Sequence, residues 1–183
     1  MSRTVVLYLV SHASGELVEM LARNAVAQLA GVEVRRRLWK MVRRLDQVPE
    51  ILGVLAAADM ASLPPQASGE RGVILSTASV SAYEGQSGEA AYSASKGGVV
   101  SMILPAAREL GPLGIRVVGI APGLFGTQTL FDMEKNLDSR LARQIPFPHR
   151  FGDPAEFAML VLHVIKNVMI NGSVLRLDGG YHR

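Results

Sequence analysis

Tyr92 and Lys96 are four residues apart, a spacing that places both side chains on one face of a helix. A phenol normally titrates near ~10, and a neighbouring ammonium favours phenolate and brings this pKa closer to the working pH. Such a tyrosine can pass a proton to or from an alcohol or carbonyl oxygen. Ser79 follows the apolar run 73–77 and could hold that oxygen by a hydrogen bond. The alternative interpretation is an ordinary surface helix that carries a tyrosine and a lysine.

The motifs around these residues favour the chemical interpretation. From about residue 57 to residue 183, the chain resembles the short-chain dehydrogenase/reductase family, and within it the type II 3-hydroxyacyl-CoA dehydrogenases, which include hydroxysteroid dehydrogenases. The motifs occur in family order. They are Ser76-Thr77-Ala78-Ser79, Tyr83-Glu84-Gly85-Gln86, Ala91-Tyr92-Ser93-Ala94-Ser95-Lys96-Gly97-Gly98, Gly114-Ile115-Arg116-Val117, Ala121-Pro122-Gly123-Leu124-Phe125-Gly126-Thr127, Pro146-Phe147-Pro148 and Leu177-Asp178-Gly179-Gly180.

This resemblance implies an oxidoreductase that interconverts a secondary alcohol and a ketone. It implies that Ser79 positions the reacting oxygen and that Tyr92 is the acid/base. It also implies that Lys96 lowers the pKa of the tyrosine and holds the nicotinamide ribose. The implied substrate is a small hydroxyl or keto compound, such as a 3-hydroxyacyl-CoA or a hydroxysteroid.

The same resemblance assigns residues to cofactor and substrate binding. Pro122, Gly123 and Thr127 would lie against the nicotinamide, together with Lys96, and Gln86 would lie near the substrate. The implied cofactor is NAD or NADP. The family's tyrosine-bearing helix commonly lies in a subunit interface, so a homo-oligomer is expected.

Three features of the family are missing from the chain. The family opens with a glycine-rich turn of the form T-G-x-x-x-G-x-G, which receives the pyrophosphate, whereas the first strand-to-helix junction here, residues 9–16, has a single glycine. The family's N-N-A-G stretch and the helix carrying its fourth catalytic residue, an asparagine, are also missing. We therefore expect weakened cofactor binding and impaired activity, and a catalytically silent Rossmann-like scaffold or assembly domain is the second hypothesis.

Residues 1–55 have a different resemblance. Residues 4–16, 22–29 and 31–34 are similar to the opening of the pyruvate, phosphate dikinase and phosphoenolpyruvate synthase regulatory proteins. No phosphate-binding loop of the form G-x-x-x-x-G-K-[ST] occurs, so kinase function is not expected. The chain looks chimeric or truncated, with a join near residues 56–60.

Composition favours one domain over residues 1–183, with an N-terminal βαβα unit (1–56) and the catalytic half of a dehydrogenase (57–183). The chain is 49% hydrophobic with 18 glycines, which is typical of a buried parallel sheet covered by helices. It has no cysteine, and its four histidines lack metal-ligand spacing, so no metal site is expected. The apolar run 5–10 is too short for a signal segment or a membrane span, which predicts a cytoplasmic protein.

Hydrophobic patterning predicts strands at residues 4–10, 32–38, 73–77, 115–120 and 173–177. Helices are predicted at 14–30, 45–58, 88–110, 127–144 and 154–166, the fourth as a mobile substrate flap. These elements form a doubly wound, Rossmann-like α/β fold with a parallel five-stranded sheet. The predicted strand order is 2-1-3-4-5, which places residues 11–15 beside Ser79 at the switch point.

The basic run 35–44 holds six positive charges in ten residues. An exposed edge strand protected against aggregation is the simplest interpretation. A phosphate site that favours NADP over NAD is the functional alternative. Nucleic-acid binding is a weaker third alternative, because the net charge is only +3 and no aromatic residues alternate with the basic ones.

Several large apolar residues near the C-terminus are predicted to fill the core rather than to form a ligand pocket. They are Phe147, Phe151, Phe157, Met159 and Met169.

Overall fold

The computed structural model describes residues 3–10, 32–39, 57–126 and 141–182, the first two ranges by their backbone. Strand β1 (Arg3–Val10) pairs with β2 (Val32–Trp39) in parallel, with Arg3 opposite Val32. Both strands match their predicted positions to within one residue.

The remaining strands form a second parallel sheet. Its order is β3 (Gly72–Thr77), β4 (Ile115–Pro122) and β5 (Val174–Leu177), with Gly72 opposite Ile115 and Gly119 opposite Val174. Since parallel strands need long crossovers, a helix connects each pair. The predicted neighbours 3-4-5 are therefore confirmed in this sheet.

The predicted pairing of β1 with β3 is not confirmed. Cα atoms of β1 come within 8 Å of β3, but among the described strands hydrogen bonds join β1 to β2 alone. The described strands thus form a two-stranded and a three-stranded sheet, and the single sheet of order 2-1-3-4-5 stays a prediction.

Three described helices accompany the strands: α1 (Ala57–Ala61), α2 (Ala90–Leu110) and α3 (Pro154–Lys166). Helix α3 begins where the sequence predicts because the Asp153 side chain accepts a hydrogen bond from the Ala155 N–H and the Glu156 side chain accepts one from the Asp153 N–H. Helix α2 continues through Pro105. The predicted helices 14–30 and 127–144 lie outside the described residues, apart from the end of the second.

The core lies on both faces of the three-stranded sheet. One cluster packs Ile103 of α2 against Ile115 and Val117, and the other packs Phe157 of α3 against Val118. Alternate residues of β4 thus face opposite helices, as the strand period of two requires. The result is a three-layer α/β arrangement with α2 and α3 on opposite sides.

Three of the predicted core residues are exposed. Phe157 is buried, but the exposed fractions are 78% for Phe147, 56% for Met159 and 89% for Met169. Met159 lies on the outer face of α3, since it is exposed and the buried residues of this helix are Phe157, Ala158, Val161, Leu162, Val164 and Ile165. The prediction was wrong because apolar character alone does not fix which side of a helix faces the sheet.

In the ranges that the structure describes, no helix has the length and apolar character needed to cross a membrane.

Candidate active site

The site begins where β3 ends, because the chain turns there into a short 3₁₀ helix. The Ala78 N–H donates to the Ile120 carbonyl at 2.7 Å and extends the pairing with β4. Ser79 then caps the 3₁₀ helix Val80–Ala82, and its Oγ accepts a hydrogen bond from the Ser81 N–H at 3.2 Å. This accepted bond orients the Ser79 hydroxyl and leaves its hydrogen able to donate.

Lys96 reaches the same end of the sheet from α2. Its side chain is buried, and Nζ donates a hydrogen bond to the Thr77 carbonyl at 3.0 Å. Burial lowers the pKa of Lys96 from its usual 10.5 to about 8, because removal from water disfavours the charged form. The ammonium is thus held at the Thr77 carbonyl, and Thr77 is two residues before Ser79 in the chain.

Tyr92 lies one helical turn before Lys96. The Lys96 Nζ is 5.8 Å from the centre of the Tyr92 ring, so the four-residue spacing brings the two side chains together as predicted. The tyrosine is 38% exposed and the lysine 8%, so an accessible phenol lies beside a buried cation.

The buried ammonium makes stability depend on pH. With a lower pKa in the folded protein, Lys96 binds fewer protons than in the unfolded chain between about pH 8 and 10.5. We expect the free energy of unfolding to rise with pH across this window, by roughly 3 kcal/mol at most from this group. Below about pH 8 the lysine is charged in both states, and the full cost of burying its charge remains. Urea denaturation of the parent and of Lys96→Met checks this. A stability difference between the two that does not vary with pH would contradict it.

The predicted cofactor residues lie at the end of β4. The Gly123 N–H donates to the Leu177 carbonyl at 3.0 Å, and a Cβ on Gly123 would come within 2.7 Å of the Asp178 Cβ. Glycine is therefore required here by close packing against the residue that follows β5. Pro122 ends β4 and is half-buried. Thr127 lies outside the described residues.

Gln86, the predicted substrate residue, lies in the loop between the 3₁₀ helix and α2. Its side chain is exposed, its N–H donates to the Glu89 carboxylate at 3.2 Å, and its carbonyl accepts from the Glu89 N–H at 2.9 Å. The backbone before α2 is thus fixed while the Gln86 side chain faces outward.

A charged network that we did not predict holds this loop from the other side. Arg176 of β5 contacts the Glu84 carboxylate at 2.7 Å and the Asp178 carboxylate at 2.7 Å. His182 contacts the same Glu84 oxygen at 2.8 Å. The hydrogen bond to Glu84 is the main cause that raises the pKa of Arg176, so the guanidinium stays charged.

A cavity of about 150 Å³ lies nearby, lined by Leu124, Phe125, Ile145 and Leu177 among others. Ser79, Tyr92 and Lys96 are not among the residues that line it. Within the described ranges, no three His, Cys, Asp or Glu side chains are grouped so that they could hold a metal ion.

The fold and this site define a Rossmann-like α/β protein with a tyrosine and a buried lysine at the carboxyl end of its sheet. A protein-family model described as Enoyl-(Acyl carrier protein) reductase matches residues 49–182. With this match and the relatives below, the chain belongs to the short-chain dehydrogenase/reductase family of oxidoreductases.

Individual relatives agree with this family. The chain is 58% identical over 125 residues to 3-hydroxyacyl-CoA dehydrogenase type-2 of Homo sapiens, which covers 68% of this chain and 48% of that protein. It is 37% identical over 172 residues to 3-oxoacyl-[acyl-carrier-protein] reductase of Bos taurus, covering 90% of this chain and 69% of that protein. The crystal structure of 3-hydroxyacyl-CoA dehydrogenase type-2 from Mycobacterium avium has a TM-score of 0.75 at 28% identity, covering 97% and 96% of the two chains.

The chain spans about half the length of the curated 3-hydroxyacyl-CoA dehydrogenase type-2 proteins that it matches. The alignment with the Bos taurus reductase covers 90% of the chain and so extends into the N-terminal unit. The similarity of residues 1–55 to dikinase regulatory proteins, and the join near residues 56–60, stay predictions.

Proposed function

We propose that this chain carries the proton-transfer half of a nicotinamide-dependent alcohol/ketone oxidoreductase, acting on a 3-hydroxyacyl thioester or a similar hydrophobic hydroxyl compound. The observation that carries the proposal is Lys96, which is buried, bonded to the end of β3 and 5.8 Å from the Tyr92 ring. A cation in this position stabilises negative charge on the phenol oxygen. The names of the relatives support the substrate class.

Each residue has one step in this mechanism. In the reducing direction the Tyr92 O–H gives its proton to the substrate carbonyl oxygen, and in the oxidising direction the phenolate takes the proton of the alcohol. The Ser79 hydroxyl donates a hydrogen bond to that oxygen, and Lys96 stabilises the phenolate. When bound, a nicotinamide would supply or accept the hydride at the substrate carbon.

The described residues fit the nicotinamide end of such a cofactor. Lys96 donates one hydrogen bond to the Thr77 carbonyl, and its ammonium has two further N–H groups that can donate to ribose hydroxyls. In our proposal Pro122, Gly123 and Thr127 lie against the nicotinamide, and Gln86 contacts the substrate. The pyrophosphate would fall near residues 11–15 if the strand order is 2-1-3-4-5.

A catalytically silent scaffold is the second candidate function. It is favoured by the first strand-to-helix junction, residues 9–16, where one glycine stands in place of the family's glycine-rich turn. From the sequence, a junction without further glycines is expected to keep its backbone from approaching a pyrophosphate closely. The homo-oligomer and the cytoplasmic location stay predictions under either function.

Calorimetric titration with NADH and NADPH separates the two functions. The enzyme should bind at least one of them, and Lys96→Ala should weaken that binding by about ten- to a hundredfold, because it removes hydrogen bonds from a charged donor. Lys166→Ala, at an exposed lysine at the end of α3, is the matched control and should leave binding unchanged. The absence of heat with both cofactors at millimolar concentration would favour the silent scaffold.

The same titration tests the alternatives for the basic run 35–44. Tighter binding of NADPH than of NADH would support the phosphate site, whereas equal affinities would support the solvated edge strand.

A further inference from the structure

Arg176 uses all three nitrogens of its guanidinium group. Nη1 donates to Glu84 Oε1 at 2.7 Å, Nε donates to Asp178 Oδ2 at 2.7 Å, and Nη2 donates to the Tyr181 carbonyl at 3.1 Å. The guanidinium carbon also lies 5.6 Å from the centre of the Tyr83 ring. A planar guanidinium with donors in fixed directions can bond three acceptors that lie in different directions. An ammonium on a flexible stem cannot bond all three at once.

These contacts join two parts of the chain that are far apart in sequence. Glu84 is 92 residues before Arg176 and lies in the loop between Ser79 and Tyr92. Asp178 follows β5 and packs against Gly123. Arg176 therefore connects the loop that carries Gln86 to the end of the sheet.

The loop is also fixed on its other side. The Glu84 N–H donates to the Val80 carbonyl at 3.1 Å, and a Cβ on Gly85 would collide with the Ser93 hydroxyl of α2. The segment 83–86 is thus packed against the first turn of α2, which carries Tyr92, and is tied to β5 through Glu84.

We propose that Arg176 is a positioning residue, which holds segment 83–86 through Glu84 and so sets how tightly the substrate binds beside Tyr92. The inference rests on the proposed function, because it assigns Gln86 in this segment to the substrate. The pair is partly exposed, with 29% of the Arg176 side chain and 19% of the Glu84 side chain accessible. Such a pair adds little to global stability, so its main effect is local.

Arg176→Met tests the proposal with two measurements. We expect KM for the substrate to rise by about three- to tenfold, with kcat changed by less than about twofold. We also expect hydrogen exchange of the amides at 83–89 to become faster by about tenfold or more, while amides of β4 are unchanged. Arg176→Lys keeps the charge without the fork of donors and should fall between the parent and Arg176→Met.

Arg150→Met is the matched control, because Arg150 also forms a close pair with a glutamate, Glu156, at 2.7 Å but does not contact segment 83–86 in the described structure. A double-mutant cycle with Glu84→Gln completes the design. If Arg176 acts through Glu84, the double variant should show nearly the same KM as Arg176→Met, so that the two effects do not add.

The outcomes separate this inference from the proposed function. Unchanged exchange at 83–89, an unchanged KM, an equal effect from Arg150→Met, or fully additive effects with Glu84→Gln would each overturn the positioning role. A parent protein without turnover would overturn the proposed function. In that case the exchange experiment alone decides whether Arg176 holds the segment.

Discussion

Replacing Tyr92 with phenylalanine should lower kcat by about 100- to 10,000-fold, the usual contribution of a positioned general acid or base. The substitution removes the phenol oxygen and keeps the ring, including its contact with the Lys96 ammonium at 5.8 Å. Packing and cofactor affinity should therefore stay close to those of the parent. Steady-state kinetics with a 3-hydroxyacyl-CoA and NAD, together with calorimetric titration of NADH, measure the two effects separately.

Tyr181→Phe provides the control for the loss of a phenol oxygen elsewhere. The Tyr181 hydroxyl donates to the Gln144 side chain at 3.3 Å and has no step in the proposed proton transfer, so this variant should retain most of the activity. A Tyr92→Phe variant that keeps more than about a tenth of the parent kcat would show that another group transfers the proton.

The local part of the site could be predicted from the sequence because it depends on helix geometry alone. Four residues make about one helical turn, so the side chains of Tyr92 and Lys96 had to meet once α2 formed. The end of β3 is similarly local, because the apolar run stops there and Ser79 follows. The strand positions were predicted for the same reason.

The ion pair between Arg176 and Glu84 could not be predicted from sequence spacing, because the two residues are 92 positions apart. A signal was nevertheless present. Arg176 lies in the apolar strand Val174–Leu177, and Arg116 lies in the apolar strand Ile115–Pro122. A charged residue in such a strand needs a partner, because an unpaired buried charge is costly. The sequence thus shows that a partner must exist but not which residue it is.

The pairing of β1 shows a second limit of the sequence. Apolar runs predict that strands exist, whereas their order depends on contacts between distant segments. Here β1 pairs with β2, as the predicted order requires, whereas the predicted pairing of β1 with β3 is not confirmed among the described strands. Phe147 and Met169 were wrongly predicted to be buried, because composition does not fix which way a side chain faces.

Arg116→Met should lower the free energy of unfolding by about 3–5 kcal/mol, because it removes one partner of a buried ion pair and leaves the other partner buried. Arg116 is 6% exposed and its Nη2 lies 2.7 Å from Glu70 Oε1. The other Glu70 oxygen, Oε2, is buried without a hydrogen bond from the described residues, so removal of Arg116 leaves this carboxylate uncompensated. Urea denaturation followed by circular dichroism gives the change in stability.

The same guanidinium also supports the end of α3. It donates to the carbonyls of Val164 at 3.0 Å, Ile165 at 3.3 Å and Ile170 at 2.8 Å. The last carbonyls of a helix lack partners within it, so Arg116 connects the end of α3 to β4. Loss of these bonds adds to the cost of the unpaired carboxylate.

Two comparisons identify the physical origin of this effect. Arg150→Met breaks a pair of the same chemical kind that is exposed, with 53% of the Arg150 side chain accessible, and should lower the free energy of unfolding far less than Arg116→Met. Adding Glu70→Gln to Arg116→Met removes the uncompensated charge and should restore part of the stability, whereas the bonds to α3 stay lost. If Arg116→Met costs no more than Arg150→Met, burial does not determine the strength of the Arg116–Glu70 pair.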